Sequence, residues 1–190
     1  MSIFDKDFPT MDIDNNFIIR QPSMSEADVK SIYKIYNDPK ILRFVPDGCI
    51  PQGLDGAIDE TRMYMDYFLN FNSVYWFIAE KQINKAIGTI GFCTWDKYNS
   101  RLEISYNLMS EYWGKGIMTN ALKKTIKFGF DKMNGIRIQA QLDPSNEISI
   151  HLLQKLGFKK DGLLRKYRFY KDNKHIDVLM MSLLEEDFIV

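Results

Sequence analysis

The chain has 190 residues, 25 Lys plus Arg against 25 Asp plus Glu, and two cysteines. This length suits one domain with a full core, so a single domain over residues 1–190 is expected. The balanced charge gives no net field toward nucleic acid or an anionic membrane, which removes both as expected partners. Cys49 and Cys93 lie far apart without metal-type spacing, and fit free thiols in a reducing compartment with no disulfide frame.

At the N-terminus, Met1 to Asp5 shows no basic region followed by an apolar run. No stretch reaches the ~18 apolar residues needed to span a bilayer, and the expectation is a soluble, cytoplasmic protein. Asn16 to Arg20 reads as a short strand, and Ser23 or Ser25 followed by Glu26 and Asp28 as a helix start. Val29, Ile32, Tyr33 and Tyr36 give that helix its apolar face, and Asn37-Asp38-Pro39 ends it. Phe44 to Gly48 reads as a turn-rich linker. From Leu54 to Phe71 a second helix carries Met63, Tyr64, Tyr67, Phe68 and Phe71, a stripe whose spacing indicates core, with Asp55, Asp59, Glu60 and Asp66 mostly elsewhere.

The apolar run Val74 to Ala79 reads as a buried strand with Ala86 to Phe92 as its hairpin partner. Gly88 and Gly91 within the second strand imply a bulge or a close approach by another group. In the next strand Leu102, Ile104, Tyr106 and Leu108 share one face, while Glu103, Ser105 and Asn107 share the other. A central strand in a layered α/β fold has both faces covered, so the polar row is expected to line a cleft.

Trp113-Gly114-Lys115-Gly116 then forms a glycine turn feeding a helix at Ile117. Such a turn aims several backbone N–H groups and the positive helix end at one spot, which suits a phosphate. It fits neither the Walker loop nor the dinucleotide fingerprint, because Thr119 stands where the latter needs its third glycine. Leu122, Ile126, Phe130 and Met133 line one side of the helix, opposite Lys123, Lys124 and Lys127. Ile136 to Leu142 alternates as a further strand, so strand, helix, strand implies a parallel crossover. Glu147 to Leu156 reads as a helix closed by Gly157-Phe158, and Leu163–Tyr170 with Ile176–Leu184 as a terminal hairpin turning at Lys171 to Lys174. His151 and His175 stand apart from other ligand types, and no metal site is expected.

Two of these segments carry a family resemblance. Trp113 to Met118 resembles the coenzyme A loop of the GNAT acetyltransferases, Gln/Arg-x-x-Gly-x-Gly/Ala, with Trp113 and Met118 departing from it. Gly116-Ile117-Met118-Thr119 is similar to the Rim-type ribosomal-protein N-terminal acetyltransferases. Asn146 to Phe158 resembles the second GNAT motif in full, and the ordered pair covers roughly the second half of the chain.

The resemblance implies a GNAT-type α/β (α+β) acyltransferase fold, with a mixed, mostly antiparallel sheet of about seven strands and helices on both faces. It implies direct acetyl transfer from acetyl-CoA to a primary amine, without an acyl-enzyme. By the same resemblance, the backbone at Leu108 and Met109 pairs with the pantetheine arm. The amides of Gly114, Lys115, Gly116 and Ile117 hold the pyrophosphate, and Asn146 contacts the coenzyme. Many family members place a proton-donating tyrosine at the position of Leu153, which this chain lacks. Ser149 matches a Rim-type serine proposed to serve the thiolate. The Rim-type glutamate falls near Arg168, so Glu103 is the substitute base, since other superfamily members use an acidic residue on that strand.

The acceptor expected from proton cost is a protein or peptide N-terminus. The alternatives are a small-molecule amine such as an antibiotic or a polyamine, and a coenzyme A-binding regulatory module without turnover. A homodimer is left open.

Overall fold

In this computed structural model the described residues are 7–45, 50–70, 73–170 and 174–189. Eight strands form one sheet. They are β1 (Met11–Asp12), β2 (Phe17–Arg20), β3 (Tyr75–Glu80), β4 (Lys85–Asp96), β5 (Arg101–Leu108), β6 (Arg137–Leu142), β7 (Lys159–Tyr170) and β8 (Lys174–Leu184), in the order β1-β2-β3-β4-β5-β6-β8-β7. Every neighbouring pair is antiparallel except β5 with β6. The helices are α1 (Glu26–Ile35), α2 (Pro39–Leu42), α3 (Gly53–Leu69), α4 (Ile117–Met133) and α5 (Glu147–Lys155). Seven strands were legible in the sequence, and the eighth is the two-residue β1.

The run Tyr75 to Ala79 is buried throughout because the sheet is covered on both sides. Trp76 and Ile78 join a core with Leu122, Ile126 and Phe130 of α4 and Ile150 and Leu153 of α5. Tyr75 and Phe77 project the other way, into a second core with Ile32 and Ile35 of α1 and Ala57 and Tyr64 of α3. The alternation along one strand thus assigns α4 and α5 to one face and α1 and α3 to the other.

Local chemistry sets the helix boundaries. Ser25 caps α1, its side chain accepting from the Asp28 N–H, and Asp38 caps α2 with Pro39 in its first turn. That short helix is absent from the sequence reading because four residues show no periodicity. The Asp28 side chain is buried, and it accepts from Arg20 Nη2 at 2.9 Å, Ser23 Oγ at 2.6 Å and the Ala86 N–H at 3.0 Å. One carboxylate therefore ties β2, α1 and β4 together, with each of its oxygens hydrogen-bonded.

Gly88 and Gly91 mark close approaches. A Cβ at Gly88 would lie 2.5 Å from the Asn107 carbonyl oxygen, and one at Gly91 2.5 Å from that of Val74. The register also shifts between Phe92 and Thr94, leaving Cys93 as the extra residue of a bulge beside Glu103.

Candidate active site

Strands β5 and β6 pair only at Arg101–Arg137, Leu102–Ile138 and Glu103–Gln139. Beyond Glu103 they diverge, while β5 remains paired with β4 through Leu108 and β6 with β8 through Leu142. The gap opens into a cleft of about 560 Å³. Ile104 to Leu108 wall one side and Ala140 to Asp143 the other, with the glycine turn and the start of α4 at one end and α5 alongside.

Gly114 and Gly116 have φ of 75° and 76°, in the left-handed region that a β-carbon disfavours. Open space lies where either would carry a side chain. Helix α4 starts directly at Gly116 with no side-chain cap and no acidic residue in its first turn. Its leading N–H groups and positive end therefore remain available to a phosphate. Trp113 lies at the position of the motif Gln/Arg, and its indole N–H donates to the Leu108 carbonyl at 2.7 Å, fastening the turn to the end of β5.

Gly114, Gly116, Ile117, Leu108, Asn146 and Ser149 all line the cleft. Lys115 does not, and its ammonium group lies over the Tyr112 ring at 5.0 Å. Met109 is buried in the α1–α3 core and its N–H donates to the Ile87 carbonyl. With the Leu108 carbonyl already engaged by Trp113, the backbone at 108–109 has fewer free groups for a pantetheine arm than the motif suggests.

Asn146 caps α5, its Oδ1 accepting from the Ser149 N–H at 3.2 Å. This fixes Ser149 in the first turn. Leu153 is fully buried, so the position that the resemblance matched to a proton-donating tyrosine is core here. Tyr106 reaches the same region from β5: its hydroxyl oxygen is buried without a hydrogen-bond partner among the described residues, and its pKa is pushed up to about 12 by burial, with the Ser149 side chain pulling the other way.

On the polar face of β5 the three residues part company. Ser105 and Asn107 line the cleft, with Ser105 also hydrogen-bonded to the Tyr75 hydroxyl. Glu103 sits where β5 and β6 are still paired, and does not form the wall. Its Oε2 accepts from Gln139 Nε2 at 2.9 Å and Gln141 Nε2 at 3.1 Å, and Cys93 Sγ lies 3.7 Å from Oε1. Gln141 does face the cleft, and its Oε1 accepts from Arg168 at 2.7 Å. Burial and the Glu103 carboxylate push the Cys93 thiol up to about 12, so it stays protonated.

Several site residues escaped the sequence reading. Phe44 and Val45, taken as linker, are cleft wall, while Pro46 to Gly48 lie outside the described residues. Lys40, Lys155 and His151 border the cleft as well, although isolated basic residues give no sequence signal. On the α3 side, Tyr64 stacks on Tyr75 at 4.6 Å and shares a 2.8 Å hydrogen bond with Tyr36, which in turn donates to Glu60 at 3.2 Å. Burial raises the Glu60 carboxyl pKa, opposed by those two phenols.

Comparison with known proteins bears on this architecture. The profile of the acetyltransferase (GNAT) domain matches residues 16–159. The N-acetyltransferase p20 of Bacillus licheniformis is 36% identical over 173 residues, covering 90% of this chain and 93% of p20. The spermidine N(1)-acetyltransferase of Escherichia coli (strain K12) is 22% identical over 166 residues, covering 87% and 86% of the two chains. A solved structure of RimL, a ribosomal L7/L12 alpha-N-protein acetyltransferase in complex with coenzyme A, matches with a TM-score of 0.79 at 15% identity, over 93% of this chain and 98% of that one.

Proposed function

The chain belongs to the GNAT acetyltransferases, with acetyl-CoA as co-substrate, and from that premise we propose that its acceptor is the N-terminal α-amino group of a protein or peptide. The observation that carries this reading is the scarcity of acid along the cleft. Among the described lining residues Asp143 is the one carboxylate, and its Oδ1 is occupied by the Ser145 N–H at 2.8 Å and hydroxyl at 2.6 Å. Lys40, Lys155 and, behind Gln141, Arg168 add positive charge. A polycation such as spermidine would meet like charges and few partners.

Proton cost points the same way. Near pH 7, neutralising an α-amino group costs about 1 to 1.4 kcal/mol, against about 4.6 kcal/mol for a lysine-type amine. A site whose candidate base, Glu103, is held back from the wall suits the cheaper amine.

The chain's own groups divide the work as follows. The glycine turn and the N-terminus of α4 hold the pyrophosphate, and the diverging β5 and β6 admit the pantetheine arm. The bound acetyl-CoA supplies the activated acyl group. Gln139 and Gln141 fix the Glu103 carboxylate, which takes the ammonium proton through water, and the Ser149 hydroxyl donates to the departing sulfur.

The test is free-thiol release with acetyl-CoA against N-terminal peptides, spermidine and an aminoglycoside at equal concentration. Peptides with a small or polar first residue are expected to be fastest. A clear preference for spermidine would overturn the acceptor reading, toward which the spermidine acetyltransferase relative points.

A further inference from the structure

Tyr106 belongs to none of the motif positions, and on β5 it alternates with Ile104 and Leu108 as though it were core. Its ring packs against that core, yet its hydroxyl oxygen is buried with no hydrogen-bond partner among the described residues. An unsatisfied buried phenol is costly unless a bound state completes it. Tyr106 and Ser149 both line the cleft, from β5 and α5 respectively. Ser149 is close enough to oppose the effect of burial on the phenol, although no hydrogen bond joins the two hydroxyls in the structure.

We propose that Tyr106 is a positioning residue for acetyl transfer, donating its phenolic proton in a hydrogen bond to Ser149 Oγ when the cleft is filled, so that the Ser149 proton is directed at the coenzyme sulfur. This inference rests on the acetyl-transfer reading and on Ser149 serving the sulfur.

The logic follows from the donor inventory. A serine hydroxyl has one proton and two lone pairs, and in a helix that proton competes for the carbonyl one turn back, here Ser145. A phenol that has no other partner occupies a Ser149 lone pair as donor and biases the Ser149 proton away from itself. With its pKa pushed up to about 12, the phenol stays protonated through the working range and so keeps a proton to donate. In the reaction the acceptor nitrogen bonds to the thioester carbonyl carbon and the C–S bond breaks with its electron pair going to sulfur. The ammonium proton leaves to the base before attack, and the second proton, shed by the nitrogen once the C–N bond has formed, leaves to solvent. The thiolate accepts the Ser149 hydrogen bond and takes its proton from solvent. Neither hydroxyl gives up its proton, which suits a thiol whose pKa of about 8.5 already makes its anion a fair leaving group.

The test is a double-mutant cycle, measured with the fastest acceptor. Ser149→Ala is expected to lower kcat by about 10²-fold and Tyr106→Phe by about 10-fold, each with acetyl-CoA affinity nearly unchanged. The double mutant should match Ser149→Ala alone, because the phenol has nothing left to orient. Losses that multiply to about 10³-fold would overturn the assignment and give Tyr106 an independent or merely structural role. Should Tyr106→Phe not fold, a fluorinated tyrosine at 106 decides. As a stronger donor it should raise kcat in the Ser149 protein and leave Ser149→Ala unaltered, and an equal effect in both would overturn the proposal. A preference for spermidine in the acceptor panel would sink the peptide reading and leave the cycle intact.

Discussion

At the scale of single residues, Glu103 is the position where sequence and structure diverge most instructively. Alternation along β5 grouped it with Ser105 and Asn107, but β5 leaves β6 one residue later, so those two face the cleft and Glu103 stays behind two glutamine amides. The parting of two strands has no sequence signature, which is why the polar row looked uniform. If Glu103 takes the ammonium proton through water, Glu103→Gln should be slow at neutral pH and recover as rising pH deprotonates the amine in solution. Its amide oxygen can keep both glutamine donors, so the fold is undisturbed. Steady-state rates from about pH 6 to 9.5 check this. A profile parallel to wild type would move the base elsewhere, with the acidic residues of α3 next to be tested. Tyr106 was unreadable for a related reason: period-two patterning assigns a face, and it cannot tell whether a phenol at the end of its ring finds a partner.

At the scale of elements, the glycine turn was the most legible feature, since two glycines before an apolar-periodic run specify both a backbone shape and an uncapped helix start. Its energetics are now sharper. Because Gly116 has φ of 76°, Gly116→Val strains the backbone as well as filling the cradle, and should cost about 1–2 kcal/mol of stability in addition to coenzyme affinity. Gly116→Asn tolerates the left-handed conformation better and should retain most of the stability while still losing affinity. Thermal melts and calorimetric titration of the two variants separate these effects, and equal coenzyme affinity in wild type and both variants would remove the turn from the site. The walls contributed by α2 and Phe44-Val45 were the least legible element, because a four-residue helix and a two-residue apolar pair carry no period to detect.

At the scale of the whole molecule, patterning showed seven of the strands, two hairpins and the parallel crossover, whereas the full strand order and the face each helix covers came from the structure, as did the candidate site where β5 and β6 part. That parting bears on the resting protein. From Ser105 to Leu108 the backbone is laddered to β4 on one flank and faces the cleft on the other, while β6 from Ala140 to Leu142 is laddered to β8 and faces the same cleft. The protein thus carries two facing strand margins inside its sheet, not merely at its rim. Without coenzyme, amides on those margins should trade hydrogen for deuterium faster than their neighbours bonded to β4 and β8. At coenzyme concentrations near a hundred times Kd, the same amides should slow by up to about 100-fold wherever exchange requires the ligand to leave. Residue-resolved exchange with and without acetyl-CoA measures this directly. Slowing confined to the glycine turn, with none along 105–108 or 140–142, would mean that the arm of the coenzyme lies outside the gap. Slowing along both margins would make acetyl-CoA a transient strand, so that each turnover opens and reseals the middle of the sheet.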